Sequence, residues 1–83
     1  MNWDDYRYFL AVARSGRLTE AGKQLSVDHA TVGRRIKALE LTLGANLFDR
    51  SPQGYQLTDA GQRLVDLAET METAVVSATA EVG

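Results

Sequence analysis

The chain has 83 residues, which is enough for one small domain with a single hydrophobic core. It contains no cysteine, so disulfides and thiolate metal sites are excluded and a reducing compartment is expected. No apolar run approaches the roughly 20 residues that span a bilayer, and the acidic, aromatic start is unlike a signal peptide. We therefore expect a soluble, cytoplasmic protein that does not enter a membrane.

The formal net charge of −2 is distributed unevenly along the chain. Residues 14–50 carry seven basic and four acidic side chains, whereas residues 51–83 carry one basic and five acidic ones. A phosphate backbone is attracted to the first of these segments and repelled by the second. The pattern favours a nucleic-acid interface that is confined to the middle of the chain.

A first helix is predicted from Trp3 to Ser15. Asn2 is a suitable N-cap, and the helix dipole favours Asp4 and Asp5 in the first turn. Gly16 provides the stop signal. Apolar residues at helical spacing predict the buried stripe, which comprises Tyr6, Phe9, Val12 and Ala13.

A second, shorter helix is predicted with Thr19 as its N-cap and an end near Leu25. A glycine inside a helix costs about 1 kcal/mol relative to alanine, so Gly22 indicates that another backbone approaches closely. A turn at Ser26-Val27 leads to a third helix, for which Asp28 is the expected N-cap.

The third helix is predicted to end at Leu43, before Gly44, and has two distinct sides. The apolar side, which should face the core, comprises Val32, Ile36, Leu39 and Leu43. The opposite side comprises Ala30, Arg34, Lys37 and Leu41. Because its two basic side chains lie beside small residues, this outward side can lie deep in a groove of a binding partner.

A β-hairpin is predicted over residues 47–57, where two short apolar-bearing segments flank the turn sequence Ser-Pro-Gln-Gly. Thr58 then caps a last helix that reaches Val82 and is about 37 Å long at 1.5 Å per residue. Apolar residues spaced alternately by four and three predict a seam for a second subunit. Ala60 begins this seam, and the residues predicted to form the dimer contact are Leu64, Leu67, Met71, Ala74 and Ala78.

Several segments, taken in order, resemble the N-terminal domain of LysR-type transcriptional regulators over nearly the whole chain. They are residues 18–36, Leu39-Glu40, Leu43-Gly44, residues 47–50 and residues 54–61. The resemblance implies a mainly α fold, with a winged helix-turn-helix of three helices and a small β-hairpin wing, followed by a long dimerisation helix. Residues 1–58 would be the DNA-binding domain, with the helix-turn-helix at 18–37, and residues 59–83 the linker helix.

The resemblance also implies a function, because family members place the third helix in the major groove and the wing beside phosphates. A homodimer joined through the last helix is then expected to bind double-stranded DNA at an inverted repeat. Any effector ligand would bind a further domain that is absent from this chain, so no cofactor is expected.

Candidate DNA contacts lie mainly on the third helix. Arg34 can donate bidentately to guanine, Thr31 can contact a thymine methyl or a base edge, and Lys37 suits a phosphate. For Arg35 a phosphate contact and a salt bridge are both open, and His29 is either a base contact or a plain surface residue. The complete set is His29, Ala30, Thr31, Gly33, Arg34, Arg35, Lys37, Thr19, Arg17, Arg50, Ser51 and Gln53.

The chain departs from the family pattern at several of these positions. Asp28-His29-Ala30 stands where Ser-Gln-Pro is frequent, and Gly33 replaces a serine that commonly contacts phosphate. Gln53 stands where the wing often has a basic residue. Arg17 stands where serine is common and offers a phosphate contact in compensation.

Other classes of function have weaker support in the sequence. Three acids, Asp66, Glu69 and Glu72, lie on the last helix, but a solvated flank explains them better than a catalytic or metal-binding set. Nothing resembles a nucleophile with its base, so an enzyme is not expected. The alternatives that remain are an acidic helical protein-interaction module and a non-specific architectural DNA binder.

Overall fold

A computed structural model describes residues 2–83. In chain order the elements are α1 (Trp3–Ser15), α2 (Leu18–Leu25), α3 (His29–Leu43), β1 (Phe48–Ser51), β2 (Gly54–Leu57) and α4 (Asp59–Val82). The predicted fold class, a three-helix unit with a two-stranded wing and a long last helix, is confirmed. The molecule is elongated, at 43 × 26 × 20 Å, because α4 extends beyond the other elements.

The predicted N-caps of α1, α3 and α4 are confirmed. The side chain of Asn2 accepts the N–H of Asp5 at 3.3 Å, while the Asp5 carboxylate accepts the N–H of Asn2 at 3.2 Å. Asp28 accepts the N–H of Thr31 at 2.7 Å. Thr58 caps α4 in the same way, with a distance of 3.0 Å. Each cap satisfies a backbone donor that the first turn of a helix leaves without a partner.

The predicted start of α2 is wrong. Thr19 is not its N-cap, because the helix begins at Leu18 and Arg17 occupies the cap position without a side-chain hydrogen bond. Only two residues connect α1 to α2, and Gly16 already takes the left-handed conformation that ends α1. Arg17 is therefore the single extended residue from which α2 can start.

The core lies between the four helices and the wing, and its fully buried large side chains are Phe9, Val12, Val32 and Leu47. Ile36 and Leu39 are buried as predicted, whereas Leu43 is 37% exposed and was wrongly assigned to the core. The reason is that Leu47, whose N–H donates to the Glu40 carboxylate at 2.7 Å, takes the buried place at the end of α3.

The turn between α2 and α3 is tightly packed, as Gly22 predicted. A Cβ atom at this position would lie 2.7 Å from the carbonyl oxygen of Val27. No real side chain tolerates that distance, so glycine allows the turn to fold back onto α2.

The wing is an antiparallel hairpin in which Phe48 pairs with Leu57 and Ser51 pairs with Gly54. It is fixed to the α1–α2 connection, since the N–H of Tyr55 donates to the carbonyl oxygen of Gly16 at 2.8 Å.

The first part of α4 packs on the core through buried Ala68 and half-buried Leu64, Val65 and Met71. Its start is fixed by the N–H of Thr58, which donates to the carbonyl oxygen of Leu47 at 3.0 Å. Within residues 2–83, no helix combines the length and apolar character that crossing a bilayer requires.

Candidate nucleic-acid interface

The outward side of α3 is solvent-exposed, and we call it the outer face of α3. It comprises Ala30, Arg34, Lys37 and Leu41. Its position follows from the helical period, because Val32, Ile36 and Leu39 hold the opposite side of α3 in the core. The sequence-based assignment of both sides is thus confirmed, apart from Leu43.

Arg34 is partly ordered by a residue one turn earlier on α3. Its Nη2 donates to the Thr31 hydroxyl at 3.2 Å. The backbone N–H of Thr31 is in turn bound by Asp28. This chain of contacts restricts the Arg34 guanidinium while leaving its other donors available to a ligand.

Asp28 places a negative charge at the start of α3. The backbone N–H of Thr31, with the Thr31 hydroxyl, holds the pKa of this carboxyl below its usual value, and the charges of Arg34 and His29 act in the same direction. Asp28 is therefore ionised at neutral pH, and its negative charge repels a phosphate at the N-terminal end of α3.

Four cations at the outer face and near the wing have no acidic partner. In the part of the chain that the structure describes, no carboxylate oxygen lies within 4.0 Å of the side-chain nitrogens of Arg34, Lys37, Arg17 or Arg50. Lys23, by contrast, pairs with Glu20 at 3.5 Å. A group of positively charged side chains without acidic partners attracts a polyanion.

Arg17 and Arg50 belong to the wing side of this surface. The guanidinium carbon of Arg50 lies 5.4 Å from the centroid of the Tyr55 ring, which supports its side chain. Arg17 approaches Gly54, where a Cβ atom would lie 3.8 Å from the Arg17 Cγ and would collide with the Gly16 carbonyl oxygen. The wing therefore brings Arg50 and Arg17 to the same end of the molecule.

The other candidate residues differ in exposure. Ser51 and Gln53 are exposed, and the Ser51 hydroxyl accepts the N–H of Gln53 at 3.3 Å within the wing turn. His29 is exposed at the first position of α3, and Thr19 is exposed at the second position of α2. Gly33 is half-buried instead, because α2 covers it.

Arg35 turns away from the outer face and toward α1. Its Nη2 lies 3.4 Å from Oδ1 of Asp5, and its guanidinium carbon lies 4.6 Å from the centroid of the Tyr8 ring. Of the two possibilities that the sequence left open, the structure contains the salt bridge. The one signal of this contact in the sequence is the sideways position of Arg35 on the helical wheel.

A second interaction that sequence reasoning missed joins α1 to α4. Arg14 donates to both carboxylate oxygens of Glu72, at 2.7 and 3.0 Å, and to Glu69 at 3.3 Å. The hydrogen bonds to Glu72 raise the pKa of Arg14 and lower that of Glu72. Two acids that resembled a solvated flank thus bind the body of the domain.

Residues 3–62 match the sequence profile of the bacterial regulatory helix-turn-helix proteins of the lysR family. The HTH-type transcriptional regulator TfdS of Cupriavidus pinatubonensis is 41% identical over 71 residues, which are 86% of this chain and 24% of that protein. A carbapenem-hydrolyzing beta-lactamase transcriptional activator of Serratia marcescens is 44% identical over 61 residues, or 74% of this chain and 21% of the activator. The chain thus spans about a quarter of the length of these relatives.

Solved structures agree with the sequence comparison. The chain superposes on the CbnR_DBD-DNA complex with a TM-score of 0.89 at 33% identity, covering 95% of this chain and 91% of that one. Its TM-score with the BenM_DBD/benA site 1 DNA complex is 0.93 at 26% identity, with coverage of 99% and 92%. The chain therefore belongs to the lysR family of bacterial regulatory helix-turn-helix proteins.

Proposed function

We propose that this chain binds double-stranded DNA in a sequence-specific manner, with α3 in the major groove and the wing beside the phosphates. The observation that carries the proposal is the outer face of α3, where Arg34 and Lys37 are exposed and free of acidic partners in the described part of the chain. Crystal structures of the related CbnR and BenM domains in complex with DNA support it. Residues 1–58 are the DNA-binding domain in this proposal, and residues 59–83 are the linker helix.

The proposed contacts divide into two classes. Arg34 is the main base-edge contact, with Thr31 and His29 beside it, because their donors and acceptors suit the major groove. Ala30 is small enough to permit a close approach. The phosphate contacts carry affinity but little sequence information. They comprise Lys37, Arg17, Arg50 and Thr19, with Ser51 and Gln53 at the wing turn.

We further propose that two chains pair through α4. Leu67 is 63% exposed and Val82 is 89% exposed, and Ala74 and Ala78 continue the same stripe in solvent. Leu64 and Met71, which are half-buried against the core, lie at the edge of this stripe. A two-fold dimer implies an inverted repeat, with half-sites about 34–36 Å apart or a multiple of that distance.

The relatives are transcriptional regulators, and we propose no enzymatic activity for this chain. A regulator of bacterial genes acts in the cytoplasm, where the chromosome lies. Effector sensing belongs, in this proposal, to regions of the longer relatives outside the matched segment.

Selection of bound duplexes from a random pool tests the proposal. We expect an enriched inverted repeat whose affinity falls with the logarithm of salt concentration, because bound phosphates release counterions. Retention of no duplex at low salt would favour a protein-interaction module. Equal affinity for the selected and the random duplexes would favour a non-specific architectural binder.

A further inference from the structure

Arg35 follows Arg34 in the sequence, but the two side chains have opposite surroundings. Arg34 is exposed on the outer face of α3, whereas the Arg35 guanidinium lies between α3 and α1. The Arg35 Nε is buried and has no hydrogen-bond partner among residues 2–83. A guanidinium in this position faces protein on two sides, so it is not presented to a phosphate in the way that Arg34 is.

The partner of Arg35 is itself held in place. One oxygen of Asp5 accepts the N–H of Asn2 at 3.2 Å in the capping box, and the other lies 3.4 Å from Arg35. The Asp5 side chain is 23% exposed, less than the Asp4 side chain at 55%. Tyr8, one turn further along α1, supplies the ring that faces the guanidinium at 4.6 Å. Asp5 and Tyr8 thus form a fixed contact site on α1 for the Arg35 side chain of α3.

We propose that Arg35 is a positioning residue that fixes the rotation of α3 about its own axis and thereby directs Arg34 at base edges. The inference rests on the proposed DNA-binding function. A hydrogen-bonding group must be held to about 0.5 Å, and a side chain about 8 Å from a helix axis moves about 1.4 Å when the helix rotates by about 10°. The ion pair with Asp5 and the contact with the Tyr8 ring restrain this rotation from outside the core, in addition to the buried packing of Val32 and Ile36.

Asp5→Asn and Asp4→Asn form a matched pair for the test. Each removes one acid from the first turn of α1, but only Asp5 contacts α3, while Asp4 pairs with Arg7 on its own helix at 2.8 Å. Asparagine at position 5 keeps an oxygen for the N–H of Asn2, so the capping box is retained. Affinities are measured for the selected and the scrambled duplex at several salt concentrations, at a temperature where circular dichroism shows each variant folded.

We expect Asp5→Asn to lower the ratio of specific to scrambled affinity by about fivefold or more, the lower end of what one misplaced bidentate base contact costs. Asp4→Asn should leave this ratio unchanged. Tyr8→Leu should lower it in the same direction as Asp5→Asn, without any change of charge. If Asp5→Asn and Asp4→Asn behave alike, the positioning role is overturned.

Arg35→Gln separates positioning from phosphate contact. We expect it to lower the affinity ratio while the salt dependence on scrambled duplex stays that of the unmodified chain. A phosphate contact would instead weaken binding to both duplexes alike and reduce the salt slope by about one. A merely structural role would lower the melting temperature and leave the ratio intact. If the unmodified chain itself shows no preference between duplexes, the proposed function fails, independently of these variants.

Discussion

Arg34 and Thr31 interact with each other on α3, since the arginine donates to the threonine hydroxyl at 3.2 Å. A long side chain that such a contact already orders loses less conformational entropy on binding.

The helical period was sufficient to predict that Arg34 and Lys37 are exposed, because the period of a helix and the side on which a residue lies are local properties. It was not sufficient for Arg35, whose partners Asp5 and Tyr8 lie 30 and 27 residues earlier in the sequence.

Arg34→Ala and Lys37→Ala should have different effects on DNA binding. The first should cost about 1–3 kcal/mol on the specific duplex and relax the base preference. The second should weaken binding to every duplex alike and reduce the salt slope by about one. Titration of both variants against specific and scrambled duplexes measures the difference. An identical loss of preference in the two variants would contradict the division into base and phosphate contacts.

Asp28→Asn should raise affinity for any duplex at pH 7, because it removes a negative charge beside the phosphates while asparagine still caps α3. Asp28→Ala is the control, since it removes the same charge but also the cap, and its melting temperature should fall. Binding to scrambled duplex and thermal unfolding distinguish the two variants. An unchanged affinity in Asp28→Asn would mean that no phosphate approaches this end of the helix.

The same carboxyl should contribute to acid sensitivity. Its pKa is lowered in the folded chain, chiefly by the Thr31 N–H, so its stabilising effect is present above its ordinary pKa of about 4. That effect is lost as the pH falls through the lower folded value. We therefore expect the melting temperature of Asp28→Asn to depend less on pH below about pH 4 than that of the unmodified chain.

Among the elements, those with strong local signals were predicted correctly. The bounds of α1 and the caps of α3 and α4 followed from Asn2, Asp28 and Thr58, because a cap involves only neighbouring residues. The start of α2 was missed, since the short connection after Gly16 overrode the preference of Thr19 for a cap. The burial of Ala68 was also missed, because the side of α4 that meets α1 depends on tertiary packing.

Arg14 should hold α4 against α1, and Arg14→Gln should loosen it. The interaction is exposed, so the change in global stability should be small. Hydrogen exchange of the α4 amides near Glu72 should accelerate more clearly. Glu69→Gln is the matched control with the smaller expected effect. It removes only the contact at 3.3 Å and leaves the two shorter ones between Arg14 and Glu72, whereas Arg14→Gln removes all three. Equal acceleration in both would mean that the charge, rather than the paired geometry, restrains the helix.

At the scale of the whole molecule, α4 presents more apolar surface than its own domain covers. Leu67 and Val76 are both more than 60% exposed, but they are nine residues apart and therefore lie on opposite sides of the helix. Only the side of Leu67 continues through Ala74 and Ala78 as the predicted seam. The sequence indicated this stripe through its spacing, and pairing through it stays a prediction.

Leu67→Lys should yield monomers in sedimentation experiments, because a buried, unpaired charge would destabilise a seam between two subunits. Val76→Lys is the matched control, with the same new charge on the other side of α4, and should remain a dimer. The Leu67 variant should still bind a single half-site, with lower affinity for the full inverted repeat. An unchanged dimer mass for Leu67→Lys would place the interface elsewhere.

Leu47 is bound to both long helices, as its N–H donates to Glu40 of α3 and its carbonyl oxygen accepts the N–H of Thr58 at the start of α4. A displacement at the far end of α4 is therefore coupled to α3 through a single residue, Leu47, rather than through a flexible connection. In a dimer paired through α4, the two DNA-binding domains would therefore keep a constant separation. Such a dimer would select the length of duplex between two half-sites in addition to their bases.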